Sequence, residues 1–89
     1  MGVPEDINWL KSNESCWGRV FRLIAEHAPV GFRELKQMCG EKDWWSLKSW
    51  VGLLRDRGLV EESKDGLVLT SHGEKVFEAM KTTEELESL

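Results

Sequence analysis

Residues 43–60 read DWWSLKSWVGLLRDRGLV, and this stretch decides the fold. Asp43 is a favourable N-cap, and the apolar residues after it recur at the spacing of one helix face. These residues are Trp44, Leu47, Val51 and Leu54. Gly58 stands where helices commonly end on a left-handed residue, and the apolar pair Leu59-Val60 follows it. The stretch therefore predicts a helix over 43–58 that leads directly into a strand.

Two shorter helical patterns come before this stretch. The first begins at Ser15 and ends before Pro29 and Gly31. Its apolar stripe consists of Trp17, Val20, Phe21, Ile24, Ala25 and Ala28. The second pattern is short and ends at Gly40, a suitable C-terminal cap. Its apolar positions are Phe32, Leu35, Met38 and Cys39. Because only about three residues connect this helix to the next, the two predict a helix-turn-helix.

A β-hairpin is predicted over residues 59–70. Its two β-prone runs are joined through Asp65-Gly66, the dipeptide type that most favours a tight hairpin turn. Ser71 and Glu74 then match a capping box at the start of a last helix. The apolar face of that helix is Val76, Phe77 and Met80. The predicted order is α-α-α-β-β-α, mainly α with a small β-hairpin.

The domain organisation follows from these patterns. Residues 1–14 open with Pro4, Glu5 and Asp6 and predict an N-terminal arm or a short helix. Residues 15–80 form the folded domain, and residues 81–89 are an acidic tail or an extension of the last helix. A chain of 89 residues is expected to form one small domain.

The net charge of the chain and its distribution give opposite indications about nucleic-acid binding. A formal net charge of −4 opposes binding to phosphates. However, residues 32–58 carry six Lys and Arg against four Asp and Glu, whereas residues 59–89 carry three against eight. The acidity therefore belongs mostly to the second half of the chain, and the helix-turn-helix is locally basic.

The sequence does not indicate a membrane protein, a secreted protein, a metal-binding protein or an enzyme. No apolar run approaches the roughly 18 residues of a membrane span, and the amino terminus lacks a secretory signal pattern, so we expect a cytoplasmic protein. Cys16 and Cys39 are expected to be reduced, and no metal-ligand spacing is present. We expect no cofactor and no enzymatic activity, because a phosphate-binding loop and a nucleophile with a clustered His are both lacking.

Two motifs resemble the winged helix-turn-helix transcriptional regulators of bacteria and archaea. The first is Leu47-x-x-x-Val51-x-x-Leu54-x-x-x-Gly58-Leu59-Val60, similar to the end of that family's recognition helix and its exit into the wing. The second is Leu69-Thr70-x-x-Gly73, similar to the segment that leads from the wing into the last helix. The resemblance implies a winged helix-turn-helix over residues 15–80. It also implies double-stranded DNA binding, with the helix at 43–58 in the major groove and the hairpin as the wing.

Candidate DNA-binding residues follow from which positions of this fold face outward. On the recognition helix we expect Ser46, Lys48 and Ser49 to reach base edges or phosphates, and Trp45 to point outward. Backbone contacts are expected from four basic residues on the two helices of the motif, and another contact from the tip of the wing. These residues are Arg33, Lys36, Arg55, Arg57 and, in the wing, Lys64.

An alternative to DNA binding is a winged-helix module that binds protein in transcription or in other multisubunit machinery. Trp45 and the apolar Leu53 on the third helix favour this alternative, because exposed aromatic residues are frequent in protein interfaces. Partial burial of Trp45 at the edge of its own domain is the plainer explanation. A homodimer through the last helix is also expected, since dimeric proteins match two DNA half-sites. The apolar face of that helix would equally fit the core of the monomer.

Overall fold

The computed structural model describes residues 2–40 and 44–87, and most of them are helical. The helices are α1 (Val3–Lys11), α2 (Trp17–His27), α3 (Phe32–Cys39), α4 (Trp44–Asp56) and α5 (Ser71–Glu87). The strands β1 (Val60–Ser63) and β2 (Gly66–Leu69) form an antiparallel hairpin between α4 and α5. This order confirms the predicted mainly α fold with a hairpin wing. The helix predicted as the third is α4, because the N-terminal segment is itself a helix.

The core is built from the apolar stripes of these elements. On α2 the buried residues are Val20, Phe21 and Ile24, and on α4 they are Leu47, Val51 and Leu54. Leu35 of α3 is also buried, and so are Val76 and Met80 of α5. These positions confirm the predicted helix faces. The predicted cap Asp43 and the side chain of Trp44 lie outside the described residues, and Ala28 is exposed beyond the end of α2.

The end of α4 confirms the role predicted for Gly58. Gly58 has a φ of +76°, and its N–H donates to the carbonyl of Arg55 at 2.9 Å. The N–H of Leu59 donates to the carbonyl of Leu54 at 3.0 Å. These two bonds form a Schellman motif, which satisfies the last carbonyls of the helix and turns the chain into β1.

The hairpin exists as predicted, but its turn differs. Ser63 pairs with Gly66, so the two turn residues are Lys64 and Asp65, and Gly66 belongs to β2. Gly66 has a φ of +136°, and a Cβ on it would lie 2.8 Å from the carbonyl of Val30. Val30 forms an isolated antiparallel β-bridge with Leu67, with N···O distances of 3.1 and 2.8 Å. The glycine therefore serves the close approach of Val30, which the hairpin signal in the sequence did not reveal.

The start of α5 corrects the predicted capping box. The capping side chain is that of Thr70, whose Oγ1 accepts a hydrogen bond from the N–H of Gly73 at 2.9 Å. The same hydroxyl donates to the carbonyl of Gly58. A Cβ on Gly73 would lie 2.0 Å from the carbonyl oxygen of Leu59. The Thr-x-x-Gly pattern thus joins the start of α5 to the end of α4, so the cap falls one residue before Ser71.

The C-terminal half of α5 is held to α2 by an ion pair. The Arg22 guanidinium binds the Glu84 carboxylate and also lies 3.3 Å from the carboxylate of Glu14. Hydrogen bonding from Arg22 lowers the pKa of Glu84 below its ordinary value, and the hydrogen bond to Glu84 raises the pKa of Arg22. The helical continuation over 81–87 is therefore anchored to the domain.

Candidate nucleic-acid interface

The outward face of α4 carries most of the predicted contact residues. Trp45 is 78% exposed, and Lys48, Ser49 and Arg55 are also exposed. Ser46 is half-buried beside them. The burial of the opposite face of α4 against the core leaves this face as the one directed to solvent. Of the contact residues predicted on α4, the structure therefore exposes Trp45, Lys48, Ser49 and Arg55 to solvent.

The basic residues on the elements next to α4 differ in their exposure to solvent. Arg33 is exposed near the start of α3, and Lys36 is half-buried one turn later. Lys64 is exposed in the hairpin turn. The start of α3 and the hairpin lie side by side along α4, because Phe32 and Glu62 line a common notch with Lys48 and Arg55.

A notch lies between α3, α4 and β1 on this surface. Its volume is about 190 Å³, and its lining residues are Phe32, Lys48, Val51, Gly52, Arg55 and Glu62. Lys48, Gly52 and Arg55 lie at i, i+4 and i+7, so they share one face of the helix. A Cβ on Gly52 would meet no atom within 4 Å. The helix backbone is therefore open to a partner between two cationic side chains.

Arg55 has a partner in the wing. Its Nη1 lies 3.5 Å from Oε1 of Glu62, and the two side chains are 56% and 60% exposed. An ion pair this exposed is screened by water and contributes little to stability. Arg55 is thus restrained by the wing but remains available to other anions.

Arg57 occupies a different environment from the other predicted contact residues. Its Nε donates to Oδ1 of Asp6 at 3.0 Å, and its guanidinium carbon lies 4.3 Å from the ring centroid of Trp9. Asp6 is fully buried, and its other oxygen lies 2.6 Å from Nε2 of His72. One carboxylate therefore joins α1 to the end of α4 and to the start of α5.

Sequence reasoning did not identify Asp6 as the centre of this cluster. It was interpreted as a favourable charge in the first turn of a helix, which it also is. The available signal was its spacing: Asp6 lies four residues before the buried Leu10, so both face the core side of α1. The partners Arg57 and His72 are 51 and 66 residues away, and no local pattern connects them.

The tryptophans divide between structural and exposed positions. Trp9 and Trp17 stack with ring centroids 5.3 Å apart, and Nε1 of Trp17 donates to the carbonyl of Trp9 at 3.0 Å. Trp50 is half-buried against the core. Trp45 remains exposed together with Leu53, which is 43% exposed on the same helix. These two residues add exposed apolar surface to α4.

Over residues 2–40 and 44–87, no three His, Cys, Asp or Glu side chains are grouped so as to hold a metal ion. Neither Cys16 nor Cys39 is in a disulfide bond, and both are half-buried. Over the same part of the chain, no helix has the length and apolar character needed to cross a membrane.

Comparison of the chain with protein-family models identifies its family. A family model of the CggR N-terminal DNA-binding domain matches residues 18–83. The chain belongs to this family. The match extends from the first turn of α2 into the last turns of α5 and includes the whole face of α4 described above. The CggR-type match excludes α1, so Asp6 and Trp9 lie outside it.

A solved structure supports the fold of this CggR-type domain. The activation domain of the phage T4 transcription factor MotA has a TM-score of 0.73 and 24% sequence identity, over 81% of this chain and 76% of that chain. At this identity the likeness establishes the fold alone. The search of curated proteins found no match.

Proposed function

We propose that this domain binds double-stranded DNA as part of a transcriptional regulator, with α4 in the major groove and the hairpin as the wing. The observation that carries the proposal is the exposed face of α4, which presents Trp45, Lys48, Ser49 and Arg55 on a domain of a DNA-binding family. Such a protein acts where DNA is accessible, which agrees with the cytoplasmic location expected from the sequence.

Different roles are proposed for the candidate residues. Ser46, Lys48 and Ser49 lie in the N-terminal half of α4, the part of a recognition helix that meets base edges. Phosphate contacts are assigned to the basic residues around that helix, namely Arg33, Lys36, Arg55 and Lys64. Arg57 is assigned a positioning role, because Asp6 already holds its guanidinium. It fixes the end of α4 and contributes to binding through that helix.

A salt titration tests DNA binding. Anisotropy of a labelled mixed-sequence duplex is measured between about 50 and 200 mM salt, where affinity should fall steeply if phosphates are contacted. The double variant Lys48→Ala/Arg55→Ala should weaken binding about tenfold or more and reduce the salt slope by about 0.9, because of these two residues only Arg55 is assigned to a phosphate.

A second double variant controls for overall charge. Lys75→Ala/Lys81→Ala removes the same two charges from exposed positions on α5. It should keep most of the affinity of the wild-type protein. Absence of binding at low salt refutes the proposal, and equal losses in the two double variants refute the assignment to α4.

A protein partner on α4 is the second candidate function. The exposed Trp45 and Leu53 favour it, because large exposed apolar side chains mark contact surfaces. Trp45→Ala should then abolish capture of the partner while duplex affinity is retained. If Trp45→Ala instead weakens DNA binding alone, the tryptophan belongs to the DNA interface.

A homodimer through α5 remains part of the proposal. Val76 and Met80 are buried in the core of the monomer, so they contribute no surface to a dimer. Leu86 is 66% exposed near the end of the same helix and is the apolar residue we assign to the contact. Sedimentation equilibrium should show a dimer that Leu86→Glu converts to a monomer, and a monomeric wild-type protein would refute this.

A further inference from the structure

We propose that the notch between α3, α4 and β1 holds a backbone phosphate of the DNA, and that Glu62 occupies Arg55 until that phosphate displaces it. This inference rests on the proposed DNA binding and deepens it. It assigns the wing a regulatory carboxylate, whose effect is to lower the affinity of the domain for DNA.

The shape and charge of the notch support a phosphate as its occupant. Lys48 and Arg55 stand on one helix face with Gly52 between them, and the open space above Gly52 lets a phosphate approach the helix closely. Arg binds phosphate through paired N–H groups, and Lys contributes a mobile point charge. A volume of about 190 Å³ is small, and it fits one such group rather than a larger ligand.

The position of Glu62 makes it a competitor for Arg55. Its carboxylate lines the same notch, and Oε1 is 3.5 Å from Nη1 of Arg55. Both side chains are more than half exposed, so the pair is weak enough for another anion to exchange with it. Binding of a phosphate in the notch therefore requires that Arg55 exchange the carboxylate of Glu62 for the phosphate.

The neighbouring residue provides a matched control. Glu61 precedes Glu62 on β1, is likewise exposed, and pairs across the hairpin with Val68 rather than Leu67. Successive strand residues point to opposite faces, so Glu61 faces away from α4. Glu61→Gln and Glu62→Gln change the net charge equally, and only the second removes the partner of Arg55.

The test measures the affinity of these variants for a labelled mixed-sequence duplex. Glu62→Gln should bind about three- to fivefold more tightly than Glu61→Gln. Arg55→Ala should reduce the salt slope by about 0.9, the value of one lost phosphate contact. In the Arg55→Ala background, the advantage of Glu62→Gln over Glu61→Gln should disappear.

The outcomes separate this inference from the proposed function. Failure of the wild-type protein to bind DNA refutes both. Equal affinities of the two glutamine variants, with normal wild-type binding, overturn the role of Glu62 alone. An advantage of Glu62→Gln that persists without Arg55 shows simple repulsion of DNA and overturns the exchange. An unchanged salt slope in Arg55→Ala overturns the phosphate contact in the notch.

Discussion

Replacing Asp6 by Asn should destabilise the domain more than any other change of a single charged side chain named above. Asp6 is fully buried and accepts from Arg57 at 2.9 and 3.0 Å, while its second oxygen lies 2.6 Å from His72. The substitution keeps the size of the side chain but removes its charge. The amide oxygen can still accept from Arg57 but carries no negative charge, and the N–H₂ group keeps a bond to His72 only if Nε2 of His72 acts as the acceptor.

The magnitude follows from the exposure of the partners. Breaking a buried ion pair by removing one member typically costs about 3–5 kcal/mol, because the other charge is left buried. Here the side chains of Arg57 and His72 are 21% and 33% exposed, so both regain some hydration. We therefore expect a loss of about 2–3 kcal/mol in the free energy of unfolding. For a domain of this size that loss lowers Tm by about 10–20 °C.

Thermal and urea unfolding followed by circular dichroism at neutral pH measure this loss. Glu5→Gln is the matched control, because Glu5 is exposed in the same first turn of α1 and loses the same charge. It should change the free energy of unfolding by less than about 0.5 kcal/mol. If Asp6→Asn has the same Tm as Glu5→Gln, the buried carboxylate does not hold α1 to α4 and α5, and the reasoning fails.

Three further predictions concern the fold. Gly73→Ala should destabilise the domain by about 3 kcal/mol, because its Cβ would overlap a backbone carbonyl. Gly52→Ala, with open space around it, should instead stabilise α4 by about 0.5–1 kcal/mol. Similar midpoints of urea unfolding for the two variants would contradict this. Thr70→Val should cost about 1–2 kcal/mol through the lost cap of α5, and a Tm equal to wild type would refute that role. Because Arg22 lowers the pKa of Glu84 in the folded state, this ion pair contributes fully to stability at neutral pH, and its contribution is lost as pH falls below about 4.5. Glu84→Gln should therefore flatten the acid side of a plot of Tm against pH. An unchanged slope would show that the ion pair does not stabilise the domain.

Much of the fold could be predicted because local signals agreed with one another. The stripe of Leu47, Val51 and Leu54 identifies the buried face of α4, and Gly58 marks its end. The periodicity of apolar residues depends only on neighbours along the chain, so it is readable without a structure. The outward position of Trp45 followed from the same pattern.

The errors occurred where a residue serves a distant part of the chain. Gly66 was interpreted as a turn residue, although its lack of a side chain accommodates the backbone of Val30. The capping box was placed at Ser71, although Thr70 makes the cap and also binds the carbonyl of Gly58. In both cases the sequence correctly indicates a turn or a helix start. A contact with a distant part of the chain determines which residue forms it.

The candidate site shows the same division. Sequence reasoning found Lys48 and Arg55 as outward cations, because helical geometry fixes which positions lie opposite the core. It did not indicate that Glu62 of the wing would stand beside Arg55, since the register of the hairpin against α4 depends on packing. Arg57 is predicted to contact a phosphate, and nothing near it in the sequence indicates the buried carboxylate of Asp6 that it binds.

The sequence by itself therefore determined the helices, the hairpin and the outward face of α4, because each is encoded by spacing within one segment. Only the tertiary structure decided how charges are distributed over that face. Asp6 lies 51 residues before Arg57 and 66 before His72, and only folding brings the three together. The burial of Asp6 gives those contacts their strength, whereas the exposure of Arg55 and Glu62 leaves their pair open to exchange.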